Sequence, residues 1–230
     1  MTKAPEIIHE TEDWLAVNKP GGLLTQAPSG IDSMEVRVKR YLATQQSTPG
    51  KVYLGVPHRL DRPATGVMVF AKHKKAARRL AEQFQNRQVE KTYWTLVSGR
   101  VEPDSETWID WMRKIPDEAR SEICGENDEG SQRAVLHYRV VRPIADGSLL
   151  EIKLETGRSH QIRLQAASRG HPVFGDSLYG SDIAFGPQTN DTRLRQIALH
   201  ARQLEIVDPA TREPVILEAE VPVDWKKFEP

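Results

Sequence analysis

An α+β fold is predicted by two kinds of periodicity that occur along the 230-residue chain. Apolar residues recur at helical spacing over residues 33–45 and 73–88, as expected for amphipathic helices. Short apolar runs at Val52–Val56 and Val67–Ala71 are typical of buried strands, and strict apolar-polar alternation over Leu149–Glu155 is typical of a half-buried strand. The sequence therefore predicts helices and strands mixed in one soluble protein.

The first third of the chain has clear boundary signals. Two short apolar segments, residues 7–8 and 14–17, are followed by the turn Asn18-Lys19-Pro20-Gly21-Gly22. Asp32 and Glu35 have the spacing of a capping box, so a helix is expected to begin at about residue 33. Gln46–Lys51 is predicted to be a linking loop.

The later elements follow from the same reasoning. Ser159 is predicted to cap the N-terminus of a helix that stops at Gly170. Asp104–Arg133 is acidic and irregular, so we expect only short strands and a mobile loop there. The remaining elements are a strand at Val89–Val97, paired strands at Ala134–Val141 and Leu149–Glu155 joined by a turn at Ala145-Asp146-Gly147, and a closing hairpin over residues 204–221.

Composition narrows the class of protein. The single cysteine, Cys124, excludes an intramolecular disulfide, and residues 1–5 contain no export signal, so a cytoplasmic protein is expected. No apolar run approaches the ~18 residues of a membrane span. The seven histidines show no metal-ligand spacing, so no metal site is predicted.

Charge is distributed unevenly although the formal net charge is zero. Between His58 and Lys91 there are nine basic and three acidic residues, whereas between Glu102 and Gly130 there are three basic and ten acidic residues. A local basic face is adequate for contacts with phosphate groups. The basic region coincides with the stretch that carries the candidate chemistry.

That stretch is His58-Arg59-Leu60-Asp61-Arg62-Pro63-Ala64-Thr65-Gly66, between the two apolar runs. A turn between buried elements can hold a side chain in fixed geometry. Asp61 lies between Arg59 and Arg62, and nearby positive charge favours its ionised form. An ionised carboxylate is suited to act as a nucleophile and poorly suited to act as a general acid.

Five stretches together resemble the RluA-type pseudouridine synthase family. The nine-residue stretch is similar to the family's HRLD-x-x-[ST]-G signature, with Ala64-Thr65 where Thr-Ser is usual. The others occur in the family's order: Asn18-Lys19-Pro20-Gly21-Gly22, Lys91-Thr92-Tyr93, Thr156-Gly157-Arg158-Ser159-His160-Gln161-Ile162-Arg163, and Gly170-His171-Pro172-Val173-Phe174-Gly175-Asp176. The resemblance extends from about Ile7 to Pro222.

The resemblance implies a fold and a reaction. The fold is the pseudouridine synthase fold, an α+β fold with a long mixed, largely antiparallel sheet in two halves, flanking helices and a central cleft. Residues 1–230 form one catalytic domain, with subdomains at about 1–100 and 101–230 and without the family's N-terminal RNA-binding domain. The reaction converts a specific uridine in an rRNA or tRNA stem-loop to pseudouridine, and a cytoplasmic monomer that needs no cofactor is expected.

Residue roles follow from the same resemblance. Asp61, Tyr93 and Arg163 are the predicted catalytic residues. Asp61 attacks C1′ or abstracts the C2′ proton, Arg163 holds Asp61 through its planar fork, and Tyr93 stacks on the flipped uracil or acts as a base at C5. The predicted substrate-binding residues are Arg59, His58, Arg62, Thr65, His160 and Gln161. Arg59 fills the space left by the flipped base or contacts phosphate, while His58, His160 and Gln161 brace the motif loops.

Other classes fit the sequence less well. An aspartyl-phosphate phosphotransferase usually has a second Asp two residues after the first, where this chain has Pro63. A Ser/His/Asp hydrolase drawn from Ser159, His160 and Asp61 has no G-x-S-x-G elbow to support it. A catalytically inactive RNA-binding protein or RNA chaperone is the alternative from a non-enzyme class.

Overall fold

The computed structural model describes residues 3–45 and 52–228, which fall into two compact units. The first unit comprises Met1–Lys91 and Ala201–Pro222, and the second comprises Thr92–His200 and Val223–Pro230. The predicted loop at Gln46–Lys51 lies outside the described residues.

Strands dominate the described residues. In chain order, the elements are β1 (Glu6–Glu10), β2 (Trp14–Lys19), α1 (Met34–Gln45), β3 (Thr65–Ala71), α2 (Lys74–Gln85), β4 (Glu90–Ser98), β5 (Ser105–Lys114), β6 (Ser121–Cys124), β7 (Gln132–Ile144), β8 (Gly147–Leu154), α3 (Gln161–Ser168), β9 (Leu199–Val207) and β10 (Pro214–Glu218). The strands form one sheet in the order β1-β2-β3-β9-β4-β8-β7-β5-β6, with β10 paired to β9. The predicted α+β class is therefore confirmed.

The core of the first unit is built on β2 and β3. These strands pair antiparallel from Trp14 opposite Ala71 to Lys19 opposite Gly66. Every residue of β3 is buried, as expected for the continuous apolar run that predicted it. The helices α1 and α2 agree with the two predicted helices, and buried residues lie on one face of each.

Gly66, the last residue of the signature stretch, lies against the backbone of strand β9 at Ala201. Its φ of +117° is a conformation that residues with a Cβ rarely adopt. A Cβ there would lie 2.5 Å from the Ala201 amide nitrogen and closer still to its carbonyl oxygen. Only glycine fits, so the end of the signature stretch is fixed by backbone-to-backbone contact.

The second unit contains an antiparallel arrangement of β4 to β8. The pair β7 and β8 was predicted, and its two-residue turn at Ala145-Asp146 is the predicted one, with Ile144 opposite Gly147. None of the helices in the described residues is long and apolar enough to cross a membrane.

Two predictions about strands are wrong. Val52–Val56 is not a strand, because its described backbone pairs with β3 only where Gly55 and Ala71 form an isolated bridge. The acidic segment is more regular than predicted, because β5 is ten residues long and pairs with β7 from Ser105 to Met112. Only Trp108 and Met112 of β5 are buried, so buried and exposed positions do not alternate along this strand.

Candidate active site

Asp61 begins a β-turn that leads into β3. The Ala64 N–H donates to the Asp61 carbonyl over 3.1 Å, and Arg62 and Pro63 occupy the two central positions. Asp61 is partly buried and keeps some solvent exposure. The hydrogen bond from Ala64 to Asp61 fixes the backbone of this turn directly before the buried strand β3.

The turn after β2 packs against this stretch and is joined to it by hydrogen bonds. Thr25 is buried, and its Oγ1 donates to the Leu60 carbonyl over 3.0 Å and accepts from the Leu60 N–H over 3.1 Å. The Arg62 Nε donates to the Gly22 carbonyl over 3.0 Å. The Lys19 Nζ donates to the Arg62 carbonyl over 3.2 Å. Residues on both sides of Asp61 are therefore anchored to the Asn18–Gly22 motif and its continuation.

His58 braces the signature stretch from inside the first unit. Its Nε2 accepts from the Val69 N–H over 3.0 Å, and its ring stacks on Phe84 with centroids 4.4 Å apart. Burial lowers the pKa of His58 to about 3, with a smaller effect from Lys91, so the imidazole is neutral at pH 7. The contact fits the predicted bracing role, whereas substrate binding by His58 stays a prediction.

Arg59 and Thr65 lie in opposite environments. Arg59 is exposed, and its guanidinium makes no hydrogen bond or ion pair with any described residue. Thr65 is 1% exposed at the start of β3. Of the predicted substrate-binding residues in this unit, all of which the structure describes, Arg59 is the only exposed one, so its charge is open to a ligand.

The second unit holds Arg163 in a buried ion pair with Asp176. The Nε of Arg163 donates to Oδ2 of Asp176 over 2.6 Å, and Nη2 donates to Oδ1 over 2.8 Å. The side chains are 5% and 1% exposed. The guanidinium carbon also lies 5.1 Å from the ring centroid of Tyr179, within range of a cation–π interaction. The bidentate partner of the guanidinium is therefore Asp176, and the predicted hold on Asp61 stays a prediction.

The start of α3 differs from the predicted N-cap. His160, and not Ser159, occupies the N-cap position, with a left-handed φ of 56° and no side-chain cap. Gln161 supplies the local order instead, because its Oε1 accepts from Thr156 Oγ1 (2.8 Å) and from the Arg158 N–H (3.0 Å). The helix ends before Gly170 at φ +81°, as predicted.

His160 and Gln161, at the start of α3, each contact a different segment of the second unit. Nδ1 of His160 lies 3.0 Å from Oη of Tyr179, and the Gln161 Nε2 donates to the Val135 carbonyl over 3.0 Å. Tyr179 Oη in turn accepts from the Ser121 N–H over 2.9 Å. These contacts fit bracing of the motif, and substrate binding by either residue stays a prediction.

Tyr93 lies on β4 of the second unit, opposite Ile152 of β8, and is partly buried. Its position on a regular strand fixes its backbone, and its stacking role and its role as a base both stay predictions. Among the described residues, no group of three or more His, Cys, Asp or Glu side chains could hold a metal ion.

The structure thus groups the predicted residues by unit. Five of them lie together in the first unit: His58, Arg59, Asp61, Arg62 and Thr65. Four lie in the second: Tyr93, His160, Gln161 and Arg163. Three further residues support these groups without having been assigned a role from sequence, namely Lys19, Asp176 and Tyr179. Lys19 and Asp176 belong to family-like motifs and Tyr179 lies in an extension of the second, and that was the only available signal.

The sequence of this chain is similar to the sequences of known proteins. The family model described as RNA pseudouridylate synthase matches residues 13–168. The chain is 34% identical to the ribosomal large subunit pseudouridine synthase D of Zymomonas mobilis, over 96% of this chain and 70% of the relative. It is 30% identical to the tRNA pseudouridine synthase C of Vibrio parahaemolyticus, over 97% of this chain and 93% of the relative.

A solved structure with a similar fold is the human RNA pseudouridylate synthase domain containing 4. Its TM-score is 0.76 at 24% identity, and the match covers 95% of this chain and 89% of that one. This likeness supports the fold alone. Together with the family match over more than half of the chain, the relatives show that this chain belongs to the RluA-type family of RNA pseudouridine synthases.

Proposed function

We propose that this protein isomerises a specific uridine in an rRNA or tRNA stem-loop to pseudouridine, with Asp61 as the central catalytic group. The observation that carries the proposal is the anchored turn at Asp61, a partly exposed residue beside the exposed Arg59, whose guanidinium has no partner among the described residues. The names of the relatives include both an rRNA and a tRNA enzyme, so both RNA classes are candidate substrates.

The reaction is an isomerisation in which no atom is lost, so it requires no redox cofactor and no energy source. The C1′–N1 glycosidic bond breaks, the uracil turns, a C5–C1′ bond forms, and the proton from C5 is released while N1 gains one. Asp61 either forms a bond to C1′ or removes the C2′ proton to give a glycal. In both routes the carboxylate must be ionised, because only the charged form is a nucleophile or a base.

Arg163 is proposed to orient Asp61. With Nε and Nη2 bound to Asp176, the Nη1 side of the guanidinium would serve the catalytic carboxylate. Because Asp176 and the Tyr179 ring hold the guanidinium from within its own unit, its position is set before any substrate arrives. A positive charge fixed in advance can orient a neighbouring carboxylate without reorganisation during the reaction.

Tyr93 and Arg59 are proposed to handle the base. Flipping a uridine out of its stack costs a few kcal/mol, roughly, and an aromatic ring can recover part of that by stacking. Tyr93 is proposed to stack on the uracil and to assist the proton transfer at C5. The planar guanidinium of Arg59 is proposed to occupy the vacated space, and a phosphate contact is the other role open to it.

The test uses RNA transcribed with 5-tritiated uridine, because isomerisation releases tritium from C5. The wild-type protein should release it from rRNA or tRNA, and Asp61→Asn should abolish release while still binding RNA. Asp182→Asn, an exposed carboxylate in a polar loop, is the control and should behave as wild type. Wild-type RNA binding without release would instead indicate an RNA-binding protein or RNA chaperone. We expect a cytoplasmic monomer.

A further inference from the structure

The helix α2 of the first unit carries a concentrated positive charge at its N-terminal half. Four of its first six residues are basic, namely Lys74, Lys75, Arg78 and Arg79, and Glu82 is its only acidic residue. Lys74, Lys75 and Arg78 are exposed. The ammonium groups of Lys74 and Lys75 make no hydrogen bond or ion pair with any described residue. Their charges are therefore open to a ligand.

This charge is unfavourable for the helix itself. Lys74 and Lys75 lie in the first turn, where the helix dipole favours negative charge, and that turn contains no acidic residue. Lys74 and Arg78 are four residues apart, a spacing at which like charges repel. The ion pair of Arg78 with Glu82 is exposed and 3.8 Å long, so it offsets little of this. Local features that oppose stability are typical of functional surfaces, and these favour a negatively charged ligand.

The segment that leads to the signature stretch lies along α2. Gly55 approaches the helix so closely that a Cβ on it would lie 2.5 Å from that of Ala77, and three residues later His58 stacks on Phe84. Three residues of extended chain and seven residues of helix each cover about 10 Å, so the segment runs parallel to the helix axis. Asp61 follows His58 by three residues. The helix and this segment therefore lead together to the proposed catalytic turn.

An exposed aromatic ring lies beside the basic residues. Tyr53 is 40% exposed, and its hydroxyl oxygen lies 3.4 Å from the position of a Cβ on Gly55, the same position that Ala77 approaches. Lys74 is the neighbour of Ala77 one turn earlier on the helix surface, so Tyr53 and Lys74 border the same part of α2. Aromatic rings next to basic side chains are the pattern with which proteins bind single-stranded nucleic acid, because every base has a face on which a ring can stack.

We propose that Tyr53, Lys74 and Arg78 form a binding surface for the RNA that flanks the target uridine, in which the two cations bind phosphate groups and the ring stacks on a base. Lys74 lies about 15 Å along the helix from Phe84, a distance of about four stacked nucleotides of one strand. The surface therefore contacts nucleotides other than the one that reacts. The inference rests on the proposed RNA substrate and concerns its binding alone.

The first experiment measures the Kd for a fluorescein-labelled RNA hairpin, with a uridine loop and single-stranded flanks, by anisotropy over a range of salt concentrations. Lys74→Gln/Arg78→Gln should raise Kd about tenfold at about 0.15 M salt and flatten the slope of log Kd against log salt by about 1.4, as expected for two lost phosphate contacts. Lys226→Gln/Lys227→Gln removes the same charge from exposed positions of the second unit and should bind as wild type. An equal loss in this control, or no loss in Lys74→Gln/Arg78→Gln, would overturn the proposal.

The same titration separates stacking from charge. Tyr53→Leu should raise Kd at least about fivefold, because a stacked base loses its platform, while the salt slope stays that of the wild type. A Tyr53→Leu protein that binds as tightly as wild type would overturn the proposed role of the ring in this surface.

The second experiment separates binding from structure and from catalysis. In single-turnover tritium release, Lys74→Gln/Arg78→Gln should need about tenfold more RNA for its half-maximal rate and reach the wild-type maximal rate, because neither side chain touches the reacting atoms. Its Tm should not fall, because the substitutions remove repulsive charges. A lower Tm, or a lower maximal rate at an unchanged RNA requirement, would indicate a structural role and overturn the inference. If the wild type binds RNA but releases no tritium, the proposed function fails, whereas the comparison of Kd values still decides the surface.

Discussion

The buried pair of Arg163 and Asp176 offers the sharpest test of how the site is held. In Asp176→Asn the side chain keeps its shape, but its charge is lost and its NH₂ group faces a guanidinium N–H. Because the two side chains are 5% and 1% exposed, water cannot replace the missing carboxylate oxygen without a change in packing. The substitution therefore removes the bidentate charged partner of a buried guanidinium.

The expected cost is large. Removing one partner of a buried ion pair destabilises a protein by about 3–5 kcal/mol. For a chain of this length, each kcal/mol lowers Tm by about 2–4 °C, so a fall of roughly 6–20 °C is expected. The rate of isomerisation should fall as well, because Arg163 loses the contact that fixes its Nε and Nη2.

Thermal and urea unfolding followed by circular dichroism provide the measurement. The double variant Arg163→Met/Asp176→Leu should be more stable than Asp176→Asn, because it leaves no unpaired charge in the interior. Asp191→Asn breaks an exposed pair with Arg193 and is the matched control, for which no measurable change is expected. An Asp176→Asn protein within about 1 kcal/mol of wild type would refute the reasoning, since that is the range of exposed pairs.

Three further predictions concern the first unit. Gly66→Ala should lower the free energy of unfolding, measured in urea, by at least about 3 kcal/mol, because backbone strain adds to overlap with the neighbouring backbone. Gly30→Ala, where φ is +85° and the space is open, should lower it by only about 1–2 kcal/mol, and equal losses would contradict this reasoning. As the pH falls below 6.5, the unfolded chain takes up a proton that folded His58 excludes until about pH 3, so stability is lost on acidification. His58→Phe should make that pH dependence shallower, and parallel unfolding curves would exclude the effect. Arg59→Ala should change the free energy of unfolding by less than about 0.5 kcal/mol while lowering single-turnover release, and a fall in stability of the same size as the loss of rate would argue against it.

Elements with a local signal could be predicted from the sequence. The two long helices and β3 each carry their own apolar pattern, so their burial could be inferred without knowing their neighbours. The strand β5 could not, because its first seven residues show one buried position and its pairing is supplied by β7. Val52–Val56 shows the opposite error. The segment packs closely at Gly55, where a Cβ would lie 2.5 Å from that of Ala77, but it pairs with β3 only at this residue.

The supports of the site were invisible for a physical reason. Lys19 binds three backbone carbonyls, and no residue type in the sequence marks a carbonyl as an acceptor. A lysine is also usually exposed, so its identity argues against burial. Asp176 lies thirteen residues from Arg163, beyond the reach of helical spacing, and only the coordinates show that it takes the bidentate position.

The proposed pair of Asp61 and Arg163 is open to a direct energetic test. Each residue is held by its own unit, Asp61 through Lys19 and Arg62 and Arg163 through Asp176, so the single supports say nothing about an interaction between the two. A double-mutant cycle with Asp61→Asn and Arg163→Met measures this interaction, because the effects of residues that share no contact on the free energy of unfolding add within about 0.3–0.5 kcal/mol. If the guanidinium orients the carboxylate, the double variant should be less destabilised than the two single effects predict, by more than about 0.5 kcal/mol. Strict additivity in unfolding free energy, together with additive effects on RNA affinity, would mean that Asp61 is positioned from within the first unit alone.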